Sequence, residues 1–200
     1  MNHEYINKQS NDTLVLLHGT GGNMDDLRTI AEYIDSTANL LMLEGDVLEF
    51  EQRRFFKRYM DGSYDLNDLD KRAKKLESNL VKWAKSYEFD LAKTTFIGYS
   101  NGANLILYSY LNLNPSVKKL ISFHGMVKNM PHQTAVSNVL RLFYTIGMYD
   151  PLTTYKASQD SLKLFTNRGI QLTKLITHHG HQILEEELIE AKKWYLENRN

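Results

Sequence analysis

Thr94-Thr95-Phe96-Ile97-Gly98-Tyr99-Ser100-Asn101-Gly102-Ala103-Asn104-Leu105-Ile106-Leu107 is the stretch that decides the fold. Its opening residues form a short β-rich apolar run, as a buried strand requires. Its closing residues, from Ala103 through Leu107 to Tyr108, read as a helix. Between them Gly98-Tyr99-Ser100-Asn101-Gly102 fits G-x-S-x-G. A serine on a sharp strand-to-helix turn has its hydroxyl pushed clear of the sheet edge, and such a turn needs small residues on either side. The helix start also offers free N–H groups to a developing negative charge. Ser100 is therefore a candidate nucleophile.

Outward from this turn the chain alternates. Strand-like runs fall at 13–17, 39–43, 94–98, 118–123, 142–147 and 171–176, and helical patterns at about 25–36, 66–87, 101–112, 153–167 and 183–198. The clearest helix carries Leu66, Leu69, Ala73, Leu76, Leu80, Trp83 and Tyr87 at steps of three or four, with Asp65 placed to cap it. Alternation of this kind predicts a mostly parallel sheet of about six to seven strands with helices on both faces, in a single domain over 1–200. Ligands of such sheets bind at the carboxyl ends of the strands.

Two further groups fall at such ends. The strand-like run ending at Gly147 leads into Met148-Tyr149-Asp150-Pro151, and the run ending near Ile176 leads into Thr177-His178-His179-Gly180-His181. Their order, serine then acid then histidine, suits a sheet-based hydrolase. His181 is expected to take the Ser100 proton, and Asp150 to fix the imidazole tautomer and stabilise the imidazolium. Asp46 and Asp61 precede the serine and follow no clear strand, so they are weaker candidates for the acid. The first strand runs into His18-Gly19-Thr20-Gly21-Gly22, where small residues let backbone approach a substrate. The N–H groups of Thr20 and Asn101 are the expected oxyanion donors. The same loop lacks the Lys-Ser/Thr ending of a P-loop, which argues against phosphate binding.

Composition narrows the setting. Lys plus Arg and Asp plus Glu both number 24, so there is no electrostatic case for nucleic acid. The chain has no cysteine, which removes disulfides, thiolate metal sites and a cysteine nucleophile. No apolar run approaches the ~18 residues of a membrane helix, and Met1 to Asp12 lacks a signal core, so a cytoplasmic protein without membrane insertion is expected. His178, His179 and His181 cluster, but a zinc site needs further ligands, and neither metal nor organic cofactor is expected. The segment Glu44 to Tyr64 is long for a connection and mixes Phe50, Phe55, Phe56, Tyr59 and Tyr64 with Arg53, Arg54, Lys57 and Arg58. It is either a substrate wall or a local core with a basic outer face. Candidate pocket residues are His18, Phe55, Phe56, Tyr59, His124 and Met126. Trp83 and Trp194 read as core.

Taken together, Leu17-His18-Gly19-Thr20-Gly21-Gly22, Gly98 to Ala103, Gly147 to Pro151 and Gly180-His181 resemble the small α/β-hydrolases of the carboxylesterase/phospholipase type, which are related to acyl-protein thioesterases and dienelactone hydrolases. The resemblance spans nearly the whole chain. It implies an α/β-hydrolase fold without a large cap domain, with Ser100, Asp150 and His181 as triad and Thr20 and Asn101 as oxyanion hole. Two departures matter. The thioesterase branch usually carries glutamine where this chain has Asn101, and dienelactone hydrolases use cysteine where this chain has Ser100. The expectation is a serine hydrolase of small carboxylic esters, acting through an acyl-enzyme as monomer or homodimer. Alternatives are a thioesterase or lysophospholipase with the same triad, or a non-catalytic ligand-binding protein on this scaffold.

Overall fold

Seven strands form one sheet in the order β1-β3-β2-β6-β7-β8-β9. They are β1 (Asn2–Ile6), β2 (Thr13–Leu17), β3 (Asn39–Glu44), β6 (Thr94–Tyr99), β7 (Lys119–Phe123), β8 (Arg141–Gly147) and β9 (Gln171–Thr177). The computed structural model describes residues 1–127 and 139–199. Every pairing from β3 to β9 is parallel, and β1 alone runs antiparallel, on the β3 edge. Two short strands, β4 (Val47–Glu49) and β5 (Gln52–Arg54), make a separate hairpin. Five helices complete the chain: α1 (Arg28–Ile34), α2 (Leu66–Tyr87), α3 (Asn101–Asn112), α4 (Tyr155–Asn167) and α5 (Glu185–Asn198).

The central strands of the sheet are buried on both faces, which is why β2, β3 and β6 read as continuous apolar runs rather than as alternation. On one face Leu69, Leu76 and Leu80 of α2, Leu105 and Ile106 of α3 and Phe165 of α4 pack on Val15, Leu41 and Phe96. On the other, Ala31 and Ile34 of α1 and Ala191, Trp194 and Tyr195 of α5 pack on Leu14, Leu40 and Ile97. This is the α/β-hydrolase fold, and no helix among the described residues is long and apolar enough to cross a membrane. The Asp65 carboxylate accepts from the Asp68 N–H at 3.0 Å and caps α2, as its sequence position suggests.

Four expectations need adjustment. The polar N-terminus contains strand β1, whose five register partners all lie in β3, some 34 to 42 residues away. The Glu44–Tyr64 segment contains the β4–β5 hairpin rather than only loop. Phe55 and Phe56 are fully buried in the main core and do not line a pocket. Trp83 is only partly buried, tilted 36° against the ring of His3 with centroids 4.4 Å apart.

Candidate active site

The turn between β6 and α3 places Ser100 at φ 49° and ψ −112°, a positive-φ conformation that L residues rarely adopt. The surrounding contacts hold it there. Ser100 N–H donates to the Phe123 carbonyl of β7 at 3.0 Å, and the Ser100 carbonyl accepts from Asn104 N–H at 2.9 Å. Both flanking glycines are required sterically. A Cβ on Gly98 would stand 2.7 Å from the Ala103 Cα, and one on Gly102 would run into the Leu17 and His18 carbonyls. The second contact arises because Gly102 N–H donates to the His18 carbonyl at 3.1 Å, so that the elbow is tied to the loop after β2.

Asp150 and His181 reach the same rim on loops tied to one another. Met148 N–H donates to the Thr177 carbonyl at 2.9 Å and Tyr149 N–H to the His179 carbonyl at 3.0 Å, extending the β8–β9 pairing past the strands. The His181 Nδ1 lies 2.6 Å from the Asp150 Oδ2, and its Nε2 lies 2.9 Å from the Ser100 Oγ. The other Asp150 oxygen accepts from Leu152 N–H at 2.7 Å. The Tyr99 hydroxyl donates to the His181 carbonyl at 3.0 Å, which binds the histidine loop to the elbow strand. Asp150 is nearly fully buried, so its charge acts on the imidazole with little screening.

The Thr20 and Asn101 amides take no acceptor among the described residues, so both N–H groups remain available. The loop that carries Thr20 is braced by the β4–β5 hairpin. Gly21 N–H donates to the Arg53 carbonyl at 2.9 Å, and the Arg54 Nη1 donates to Thr20 Oγ1 at 2.8 Å. The Asn101 side chain plays a separate part, with its Oδ1 accepting from Phe55 N–H at 2.7 Å. It thereby pins the hairpin segment to the elbow, while its own buried Nδ2 has no partner.

Of the expected pocket residues, Met126 lines the cavity of about 210 Å³ that opens beside Ser100. The others stand elsewhere. His18 is buried behind the loop it begins; its Nε2 accepts from Gly45 N–H at 3.1 Å and its Nδ1 donates to the Gly19 carbonyl at 2.6 Å. Burial pushes its pKa below the ordinary histidine value. Tyr59 is exposed and lines a neighbouring outer hollow with Phe50 and Met60. His124 is buried under the site, not on its wall. Its ring centroid is 5.4 Å from that of His181, its Nε2 is 3.1 Å from the Glu187 carboxylate, and its Nδ1 is 3.8 Å from Asp150 Oδ2. His178 and His179 are exposed.

His124, Asp150 and His181 present ligand atoms within 4.8 Å of one another. Both His181 nitrogens are already engaged by Ser100 and Asp150, however, so a metal there would have to break that chain. Two residues near the site, Glu187 and Leu152, carry no local sequence signal. Glu187 is fully buried on α5, yet it belongs to an acidic run, Glu185-Glu186-Glu187, that reads as solvent-facing. Arg54, Arg58 and Tyr64, from the segment left open between substrate wall and local core, line the Ser100 cavity with Leu152, and Asn104 joins them from one helical turn past Ser100.

Residues 55–197 match the phospholipase/carboxylesterase family. The chain is 34% identical over 197 residues to MhqD of Bacillus subtilis (strain 168), a protein named as a hydrolase, with 98% of each chain covered. Among solved structures it is similar to the Bacillus cereus carboxylesterase, with 35% identity and a TM-score of 0.94 over 99% of this chain and 94% of that one. It is also similar to YahD, solved with malic acid, at 29% identity and a TM-score of 0.88, covering 98% of each chain.

Proposed function

From the premise that this chain is a hydrolase of the phospholipase/carboxylesterase family, we propose that it cleaves small carboxylic esters through Ser100, His181 and Asp150. One observation carries the reading: a continuous hydrogen-bond chain, 2.9 Å from Ser100 to His181 and 2.6 Å from His181 to Asp150, ends on a serine at a strained strand-to-helix elbow. The His181 Nε2 is within reach to accept the hydroxyl proton as the Ser100 Oγ attacks the ester carbonyl. The tetrahedral oxyanion then lies against the N–H groups of Thr20 and Asn101, where each donor is worth about 10²–10³ in rate. His181 returns the proton to the departing alkoxide, and the Ser100 acyl-enzyme forms. Water, deprotonated by His181, attacks the acyl carbon, and His181 passes that proton to the departing Ser100 Oγ as the free acid leaves. Asp150 holds the imidazole in the tautomer with hydrogen on Nδ1 throughout.

The test is Ser100→Ala assayed on p-nitrophenyl acetate and butyrate. Turnover is expected to vanish while the melting temperature stays at the wild-type value, and a fluorophosphonate probe is expected to label only the wild-type chain. Undiminished turnover by the alanine variant, or an unlabelled wild type, overturns the mechanism.

A further inference from the structure

The wall of the Ser100 cavity that faces the hairpin is built from cations and hydrogen-bond donors. Arg54 and Arg58 both line it. One carboxylate, Glu49, serves them both, meeting the Arg58 Nε at 2.7 Å and the Arg54 Nε at 3.3 Å. Both contacts use the Nε edge of the guanidinium. Arg54 also spends its Nη1 on Thr20 Oγ1, but its Nη2 and both terminal nitrogens of Arg58 meet no acceptor among the described residues. Two positive charges against one negative leave this wall net positive.

Tyr64 adds a third donor. The Asn104 amide orientation is fixed because its Oδ1 accepts from Met126 N–H at 2.6 Å. Its Nδ2 therefore donates to the Tyr64 hydroxyl oxygen, at 2.9 Å. The Tyr64 oxygen is used as an acceptor, so its own proton has to go elsewhere, and no described residue accepts it. Burial raises the Tyr64 pKa to about 12, which keeps that proton in place at neutral pH. Met126 and Leu152 supply the apolar part of the wall, beside Thr20, Gly62, Asn101 and Asn104. Donors without acceptors, beside a nucleophile, call for a ligand that brings its own anionic oxygens.

From this juxtaposition we infer that the preferred substrate is an ester bearing a second, ionised carboxylate a few bonds from the scissile carbonyl, such as the half-ester of a short dicarboxylic acid, with that carboxylate held by Arg54, Arg58 and the Tyr64 hydroxyl. The inference rests on the esterase reading and adds the substrate class to it. The reaction is ordinary hydrolysis: the ester's acyl–oxygen bond breaks as the acyl group passes to Ser100 Oγ and the alcohol leaves, and water then releases the diacid.

Monoethyl glutarate and ethyl pentanoate differ chiefly in the terminal carboxylate, and ethanol release reports both. The expected result is a kcat/KM ratio of about tenfold or more in favour of monoethyl glutarate, the order of one charge-assisted hydrogen bond. Arg58→Gln should lower that ratio about tenfold and Arg58→Lys should retain most of it. Raising the salt to 0.5 M should also shrink it, because Arg58 is partly open to solvent. Equal turnover of the two esters, preference for ethyl pentanoate, or a ratio unmoved by Arg58→Gln overturns the inference while leaving the esterase reading intact. If neither ester is turned over, p-nitrophenyl butyrate and the fluorophosphonate probe decide separately whether the esterase reading fails. The anion site is then decided by calorimetry of monoethyl glutarate on the Ser100→Ala chain, where absence of binding overturns it.

Discussion

Replacing Asn101 by alanine separates two roles that lie on one residue. Its backbone N–H is a proposed oxyanion donor and survives the substitution. Its side chain is a strut: Oδ1 takes the Phe55 N–H at 2.7 Å in a fully buried setting. Removal leaves that N–H buried without an acceptor, which costs about 1–3 kcal/mol. Loss of the partnerless Nδ2 gives a little back, because that group is already desolvated for nothing. The net destabilisation is about 2 kcal/mol. For a chain of this size each kcal/mol lowers Tm by roughly 2–4 °C, so Asn101→Ala is expected to melt about 4–8 °C below wild type. Its kcat on p-nitrophenyl butyrate should fall by less than about tenfold, since the loss of one oxyanion donor would cost about 10²–10³. Calorimetry and steady-state kinetics on the same preparation measure both. A hundredfold loss of kcat at unchanged Tm refutes the reasoning, because the side chain would then act in the chemistry and not as a strut.

Asp150→Asn keeps an oxygen for the Leu152 N–H but replaces the acceptor facing His181 Nδ1 with a group that can donate, which favours the wrong imidazole tautomer. Its kcat is expected to drop about 10⁴-fold with a near-native melt, and a loss under tenfold would remove Asp150 from the mechanism. Buried His18 sets a pH dependence of stability. Burial lowers its folded pKa below 6.5, so below about pH 6.5 the unfolded chain takes a proton that the folded chain refuses. Stability is therefore lost as pH falls below that value, down to the depressed folded pKa, and the group contributes nothing above it. The drop in Tm between pH 7.5 and 5 should be smaller in His18→Gln than in wild type, and an equal drop would mean His18 is not the titrating group.

The legible parts of the site were those with local chemistry. The elbow is legible because a strand-to-helix turn this tight needs glycines at 98 and 102, and the fold supplies the collisions that any larger residue would meet. Asp150 is legible because it follows an apolar run that a buried parallel strand demands, and His181 because it follows a β-rich run, Leu172 to Thr177, that forms the half-exposed edge strand. The aromatic–basic segment left two readings open, substrate wall or local core, and the fold divides it between them. Its phenylalanines at 55 and 56 went to the core, and two of its arginines, 54 and 58, went to the cavity. Local pattern cannot make that assignment, since both kinds of residue sit side by side in sequence.

What the amino-acid order determined by itself was the succession of strands and helices and the placing of serine, acid and histidine just past strand ends. Those features follow from periodicity and turn sterics, which act between near neighbours in the chain. Only the tertiary structure decided that β1 closes the sheet edge, that Glu187 is buried beside His124, and that a net positive wall stands next to Ser100. Each of these depends on contacts between segments dozens of residues apart, where burial and charge are set by what the fold brings alongside.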